Sequence, residues 1–128
     1  MTDVVLVVDV ANVVGARPDG WWRDRVGATG RLLVALATLP GRTLEHDGAT
    51  STVTRVVAVV EGKGKGAEAP AGVEVVRADG SGDDALVDVV RTLAEPVLVV
   101  TADRGLRARL PDSAGAAGPG WLRDLLGV

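Results

Sequence analysis

The sequence predicts a single α/β domain of the three-layer, Rossmann-like type, with a mostly parallel sheet of four to five strands. Short unbroken Val-rich runs recur along the chain, and stretches of helical periodicity separate most of them. Such runs are typical of strands buried on both faces of a parallel sheet. Phe and Tyr are absent, so the core must be built from Val, Leu and Ala, which suits this kind of sheet.

The first strand is predicted from the run V-V-L-V-V at Val4–Val8, which stops at Asp9. Residues 13–20 contain two glycines and a proline, so they are expected to form a loop. A helix is predicted over Trp22–Leu39, because its apolar residues recur at helical spacing and Pro40 and Gly41 follow the last of them.

The second half of the chain repeats this alternation. Arg42–Thr52 is polar, contains the single histidine and is expected to be irregular. The remaining predicted elements are a strand at Val53–Val60, a flexible basic loop at Gly62–Gly66, a strand at Val73–Val76, a helix from Asp83 to about Leu93, a strand at Val97–Val100, a short helix at Arg104–Leu110, an edge strand at Ala114–Ala117 and a final helical turn at Trp121–Leu126.

Acidic residues follow three of these predicted strands. Asp9, Glu61 and Asp103 stand at the strand ends, and Asp83 and Asp84 open a helix beside them. Ligands of open α/β sheets bind at the carboxyl ends of the strands. Carboxylates gathered there repel one another, and a cation offsets the repulsion. The sequence has no cysteine and one histidine in a loop, so the donor set is oxygen only and suits Mg²⁺ or Mn²⁺.

Four motifs resemble a known family. They are V-D-V-A-N at Val8–Asn12, V-V-E-G at Val59–Gly62, G-S-G-D-D-A-L-V-D at Gly80–Asp88 and V-V-T-A-D-R at Val99–Arg104. The set, spread over nearly all of residues 1–128, is similar to PIN-like nuclease domains, and most of all to the small bacterial members of the NYN type. The resemblance implies a PIN fold with strand order 3-2-1-4-5, an acidic pocket for Mg²⁺ or Mn²⁺, and cleavage of single-stranded or structured RNA.

The resemblance also implies roles for individual residues. Asn12 would orient water or substrate, and either Asp83 or Asp84 would be the acid carried by the helix. We favour Asp84, because Asp88 lies one turn later on the same face. The implied catalytic set is Asp9, Asn12, Asp83, Asp84 and Asp103, and the implied metal ligands are Asp9, Glu61, Asp84 and Asp103.

Cationic and aromatic side chains flank these acids. A metal-assisted hydrolysis of a phosphodiester needs positive groups around the carboxylates, which alone would repel the substrate. A tryptophan at the start of the first long helix can stack an unpaired base, although such a residue more often packs against the protein core. Of the adjacent Trp21 and Trp22, we expect one to be buried and one to be exposed. The predicted substrate-binding residues are Arg17, Trp21, Lys63, Lys65 and Arg104.

The net charge and the first residues of the sequence indicate which partners and which cellular location to expect. The net charge of −3 gives no global excess of basic residues, so RNA binding must depend on a local surface. No basic region precedes the first apolar run, which is too short for a signal peptide or a membrane span. We therefore expect a cytoplasmic protein without a membrane association. A homodimer or a regulatory protein partner stays open.

Three other functions are compatible with the same pattern. The acidic site would also serve a nucleotide pyrophosphohydrolase, although the Glu-rich helical signature of such enzymes is missing. A non-catalytic RNA-binding module would keep the fold without the chemistry. A toxin of a toxin and antitoxin pair is the third alternative, because small PIN-like domains often have that role.

Overall fold

The computed structural model describes residues 2–17 and 20–128; residue 1, and residues 18 and 19 within the predicted loop, lie outside this part. Its strands are β1 (Thr2–Asp9), β2 (Thr43–His46), β3 (Ala49–Val60), β4 (Glu74–Arg77), β5 (Val97–Val100) and β6 (Gly115–Ala117). Its α-helices are α1 (Val10–Val14), α2 (Arg25–Leu36), α3 (Gly82–Thr92), α4 (Arg104–Arg109) and α5 (Pro119–Leu126), and 3₁₀ turns cover Trp21–Arg23 and Gly62–Gly66.

The strands form one mixed sheet in which β1 is central. Its order is β2-β3-β1-β5-β6, with β4 paired to β3 beside this path. Strands β3 and β5 flank β1 and run parallel to it, β4 is parallel to β3, and β6 is parallel to β5. The predicted α/β class and the mostly parallel sheet are therefore confirmed.

The strand order differs from the predicted 3-2-1-4-5, because the sheet contains a sixth strand. This strand, β2, is antiparallel to the first residues of β3 and lies in the stretch that we expected to be irregular. Asp47 and Gly48 join the two strands, and both have positive φ, at 55° and 78°. Two such residues make the tight turn that suits the twist of a hairpin. As a result β3 begins at Ala49 rather than at Val53.

Two further boundaries differ from the prediction for identifiable reasons. The helix predicted from Trp22 begins at Arg25, because the carboxylate of Asp24 accepts a hydrogen bond from the Gly27 N–H at 2.9 Å and caps it there. The segment Gly62–Gly66 is a 3₁₀ turn rather than a flexible loop, and it packs against α2, where Gly64 is buried.

Helices cover both faces of the sheet. On one face, α1, α2 and α5 pack on the even-numbered side chains of β1, such as Leu6 and Val8. On the other, α3 and α4 pack on Val5 and Val7. Both faces of β1 are thus buried, which is why its sequence does not alternate. In the described part of the chain, no helix has the length and apolarity needed to cross a membrane.

A tryptophan of α5 closes the hairpin edge of the sheet. The indole N–H of Trp121 donates to the backbone carbonyl of Glu45 in β2 at 3.1 Å. The Trp121 ring also meets the His46 imidazole edge to face, with 5.2 Å between the ring centres. His46 therefore packs against α5, and no ligand role follows from its position.

An arginine of α5 fixes the end of α1. The guanidinium of Arg123 donates to the carbonyl of Val13 at 3.1 and 2.9 Å, and to that of Val14 at 3.4 Å. These carbonyls end a helix of five residues that is too short to be stable by itself. Because α1 begins directly at the end of β1, Arg123 helps to hold the chain that follows Asp9.

Replacing this arginine should therefore destabilise the fold. In Arg123→Met the carbonyls of Val13 and Val14 lose their charged donor, and we expect a loss of about 1–3 kcal/mol in the free energy of unfolding. Chemical denaturation measures it. Arg91→Met, at an exposed position of α3, is the matched control and should change stability by less than about 0.5 kcal/mol. Equal stability of the two variants would contradict the role of Arg123.

Candidate active site

The ends of β1 and β5 are joined by the side chain of Thr101. Val8 pairs with Val100, so the next residues, Asp9 and Thr101, lie side by side. Thr101 is fully buried, and its hydroxyl donates to Asp9 Oδ2 at 2.9 Å while accepting from the backbone N–H of Asp103 at 3.1 Å. One hydroxyl thus fixes two of the predicted site acids.

Two more bonds fix Asp103 and Asp9 in place. Asp103 Oδ1 accepts from the Leu106 N–H at 3.0 Å and caps α4, and Asp9 Oδ1 accepts from the Asn12 N–H at 3.4 Å and caps α1. Each carboxylate therefore lies at the positive end of a short helix, which partly offsets its charge. Both acids cap helices. Each carboxylate oxygen can accept two bonds, so these oxygens can still accept a bond from another partner.

Asn12 links the same two strand ends. Its side-chain oxygen accepts from the backbone N–H of Ala102 at 2.8 Å. This contact uses the amide oxygen as a structural acceptor and points the amide group toward the end of β5. The predicted role of Asn12 toward water or substrate is not tested by this contact.

Glu61 reaches the same edge from β3. Asp9 pairs with Val59, and Glu61 follows two residues later. Its carboxylate accepts from the Gly82 N–H at 2.7 Å, in the first turn of α3. A Cβ on residue 82 would lie 2.7 Å from the Glu61 oxygen, so a glycine allows this close contact. Glu61 therefore holds the start of α3 against the end of β3.

The two aspartates of α3 point to different partners. Asp84 Oδ1 pairs with the Arg109 guanidinium at 2.8 Å, and both side chains are largely exposed. Asp83 makes no hydrogen bond or ion pair within the described part of the chain, and its strongest charged neighbours are Asp103 and Glu61. Thus the structure brings Asp83, rather than the favoured Asp84, toward the other acids.

The charges of these acids influence one another. Burial raises the pKa of Asp9, its hydrogen bonds to Thr101 and Asn12 lower it, and the charges of Asp83 and Glu61 add to the rise. Partial burial raises the pKa of Asp83, as do the charges of Asp103 and Glu61. We call Asp9, Glu61, Asp83 and Asp103 the acidic rim.

The acidic rim does not form a finished metal site. Among residues 2–17 and 20–128, no three histidine, aspartate or glutamate side chains are placed so as to hold a metal ion. Asp9, Glu61 and Asp103 each accept hydrogen bonds from the protein instead. The donor atoms are nevertheless all carboxylate oxygens, which hard divalent cations prefer.

The predicted cationic residues lie in three different surroundings. Lys63 and Arg104 are exposed next to rim acids in the chain. The Lys65 ammonium donates to the Ala78 carbonyl at 3.0 Å, so it is engaged in holding the 62–66 turn to the chain after β4. Arg17 lies beside Arg31 at a separate cavity of about 330 Å³, beyond α1. Lys63 and Arg104 are thus the predicted cations that are both exposed and near rim acids in the sequence, and Lys63 also lines a cavity together with Glu61.

A cavity of about 420 Å³ borders the rim at Glu61. Trp21 and Lys63, two of the predicted substrate-binding residues, line it. Trp22 is 51% exposed, as expected for one of the two adjacent tryptophans, whereas Trp21 is half-buried rather than buried. Trp121, outside this cavity, is half-buried at the edge of the sheet beside β2.

Three residues that shape this edge were not predicted from the sequence. Thr101 joins Asp9 to Asp103, Gly82 accommodates Glu61, and Arg109 pairs with Asp84. Thr101 stood inside the quoted V-V-T-A-D-R motif, and a polar residue at the end of a buried strand is a usable signal. Nothing in the sequence indicates the contact between Asp84 and Arg109, because α3 and α4 are separated by a strand.

The fold and the rim define an α/β domain with acids at the carboxyl ends of its central parallel strands. No protein-family model matches the chain, and no curated protein matches it. Among solved structures it is similar to the W164L mutant of Rae1 (YacP) from Bacillus subtilis, with a TM-score of 0.68 and 19% sequence identity. The match covers 96% of this chain and 74% of the Rae1 chain. At this identity the likeness shows a shared fold.

Removing the Thr101 hydroxyl should lower the stability of the protein, because Asp9 and Asp103 lose the group that joins them. Thr101→Val keeps the shape but leaves the Asp9 oxygen and the Asp103 N–H without their common partner, so unfolding should become easier by about 1–3 kcal/mol. Denaturant titration measures this loss. Thr50→Val, at an exposed position of β3, should stay within about 0.5 kcal/mol of the parent. A fully stable Thr101→Val protein would show that the network is dispensable.

The repulsion on Asp83 predicts a pH-dependent change in stability. Because its pKa is raised in the folded protein, the ionised carboxylate disfavours folding, and this cost appears as the pH rises through the raised pKa. In chelator at neutral pH, Asp83→Asn should therefore melt above wild type. At about pH 3, where the carboxyl is protonated in both states, the difference should vanish.

Asp84→Asn is the matched control for this measurement. It loses an exposed ion pair with Arg109, so at neutral pH it should melt at or slightly below wild type. If Asp83→Asn melted below wild type at both pH values, its carboxylate would be a structural support and not a repelled member of the rim.

Proposed function

We propose that this protein hydrolyses RNA phosphodiester bonds at the acidic rim with the help of Mg²⁺ or Mn²⁺. The observation that carries the proposal is the convergence of Asp9, Glu61, Asp83 and Asp103 at one edge of the sheet, where burial, and after it the charges of neighbouring carboxylates, raise the pKa values of Asp9 and Asp83. Carboxyl groups whose pKa values are raised by burial and by one another's charges are candidates for a functional site. The motif resemblance to PIN-like nucleases names the chemistry, and the fold shared with Rae1 is compatible with it.

The proposed cation ligands are Asp9, Asp83 and Asp103, with Glu61 beside them. The fit depends on donor chemistry and charge, because the side chains as placed do not enclose an ion. A carboxylate has about four acceptor positions, so the observed hydrogen bonds leave room for a cation. Asp83 replaces Asp84 in the set predicted from sequence, since Asp84 is paired with Arg109. A bound divalent ion supplies charge neutralisation at the phosphate and lowers the pKa of a water.

The protein groups around the rim have separate tasks in this proposal. Thr101 and the helix N–H groups hold Asp9 and Asp103 in fixed orientations before substrate arrives. Arg104 and Lys63, which are exposed next to rim acids, bind the phosphates on either side of the scissile bond. Arg109 pairs with Asp84, and its charge also lowers the pKa of Asp83, so it offsets part of the negative charge. No acid of the rim is itself ion-paired among the described residues, and the remaining negative charge attracts a metal ion.

The proposal predicts metal-dependent cleavage that requires individual rim acids. Single-stranded RNA should be cleaved with Mn²⁺ or Mg²⁺ and remain intact in chelator. Asp9→Asn, Asp83→Asn and Asp103→Asn should each lower kcat on the order of 100-fold or more, the scale seen when one group that stabilises the transition state is removed. Gel analysis of end-labelled RNA measures cleavage. Hydrolysis of a nucleoside triphosphate is measured in parallel, because it is the reaction expected of the alternative pyrophosphohydrolase.

Asp88→Asn, an exposed acid of α3, is the control and should retain activity. Metal binding is followed separately by melting: Mn²⁺ at a hundredfold excess over Kd adds about 2.7 kcal/mol of stability to wild type. Asp83→Asn should lose this response and Asp84→Asn should keep it. Cleavage in chelator, or full activity of the three rim variants, would overturn the proposal.

A further inference from the structure

The 420 Å³ cavity beside the acidic rim has the size and walls of a binding site. It lies between α1, the 3₁₀ turn at Trp21–Arg23, the start of α2 and the segment Gly62–Gly66. Val10, Val14 and Val60 supply apolar walls. Small-molecule sites in proteins occupy about 300–1,000 Å³ and combine such walls with a few polar groups.

Thr29 is an unusual polar residue at this cavity. It is only 4% exposed, and its hydroxyl makes no hydrogen bond with any residue in the described ranges 2–17 and 20–128. A Cβ on Gly64 would lie 2.9 Å from the Thr29 hydroxyl oxygen, so the glycine leaves space above it. Because no buried side-chain oxygen or nitrogen of the described residues lacks a hydrogen-bond partner, the Thr29 hydroxyl is not sealed in the core but opens onto the cavity that it lines. It is therefore available to bond the polar edge of a ligand there.

Trp21 contributes an aromatic surface to the same cavity. Its ring lies near Gly15, where a Cβ would come to 3.8 Å from Cζ2, and the Arg25 guanidinium stands 5.4 Å from the ring centre. Trp22 meets Trp21 edge to face and is not part of the cavity wall. Trp21 is thus the aromatic side chain available to stack a planar ligand here.

The charges at the cavity mouth join it to the rim. Arg25 and Lys63 line it on the positive side, and Glu61 belongs both to the cavity and to the acidic rim. A ligand seated against Trp21 would therefore place its anionic part beside cations and close to the carboxylates. An aromatic base attached to a phosphate has this arrangement of apolar, hydrogen-bonding and anionic parts.

We propose that this cavity binds one unpaired nucleobase of the RNA strand, next to the phosphate that is cleaved at the rim. The inference rests on the proposed function. Trp21 stacks the base, the Thr29 hydroxyl hydrogen-bonds its edge, and Lys63 and Arg25 hold the adjoining phosphates. A base inside a duplex cannot enter the cavity, so the substrate class is single-stranded RNA or RNA with an extruded base.

Binding measured in chelator tests the cavity without requiring cleavage. The probe is a fluorescently labelled single-stranded RNA 12-mer, followed by anisotropy. Trp21→Leu should weaken binding about tenfold, and Thr29→Val about two- to tenfold, the losses expected for one stacked base and one hydrogen bond. A duplex of the same sequence should bind wild type more weakly and should not distinguish the variants.

Two matched variants control for general effects. Trp22→Leu removes the adjacent exposed indole, and Thr92→Val removes a helical hydroxyl on the far side of the sheet; both should bind like wild type. Melting curves establish that each protein is folded, and Thr29→Val keeps the test decisive if Trp21→Leu unfolds. Unchanged binding of the RNA by Thr29→Val and a folded Trp21→Leu would overturn the inference.

The outcomes separate the cavity from the catalytic proposal. Metal-dependent cleavage with unchanged binding by both cavity variants leaves the nuclease function standing and removes the base site. Weakened binding without any cleavage in Mn²⁺ keeps the base site and removes the nuclease function. If a free nucleoside monophosphate binds as tightly as the RNA 12-mer and displaces it, the cavity serves mononucleotides and the inference fails.

Discussion

The parallel pairing of β1 with β3 on one side and with β5 on the other determines where every group of the site lies. Register places Asp9 level with Val59 and beside Thr101, so the residues after the three strands meet at one edge. The start of α3 is then drawn to the same edge by the bond from Gly82 to Glu61. A shift of one residue in either pairing would turn these side chains to the other face of the sheet.

The chain tolerates this concentration of negative charge by using neutral donors. Asp9, Glu61 and Asp103 accept bonds from a hydroxyl or from backbone N–H groups, and no arginine or lysine pairs with them in the described residues. Neutral donors orient a carboxylate while leaving its charge in place, whereas an ion pair would cancel it. The side chains at this edge are therefore held in place without losing their negative charge.

The sequence was informative where burial alone decides structure. Val97–Val100 has the predicted bounds, and β1 ends at Asp9 as expected, because runs buried on both faces leave no alternative to a central strand. The hairpin at Asp47 and Gly48 was missed, although an Asp-Gly pair is a turn signal, because β2 has only four residues and the first residues of β3 are polar like those of β2. The approach of Asp83 rather than Asp84 depends on where α4 places Arg109, which no local pattern contains.

The bond from Trp121 to β2 has a consequence for how the molecule behaves at high concentration. A strand at the border of a sheet exposes backbone groups that can template another chain, and this is a common route to aggregation. Here the exposed strand has four residues, and an indole occupies the Glu45 carbonyl while its ring covers His46. A second sheet would have to displace α5 in order to add along β2, so α5 also shields this border strand from strand-by-strand polymerisation.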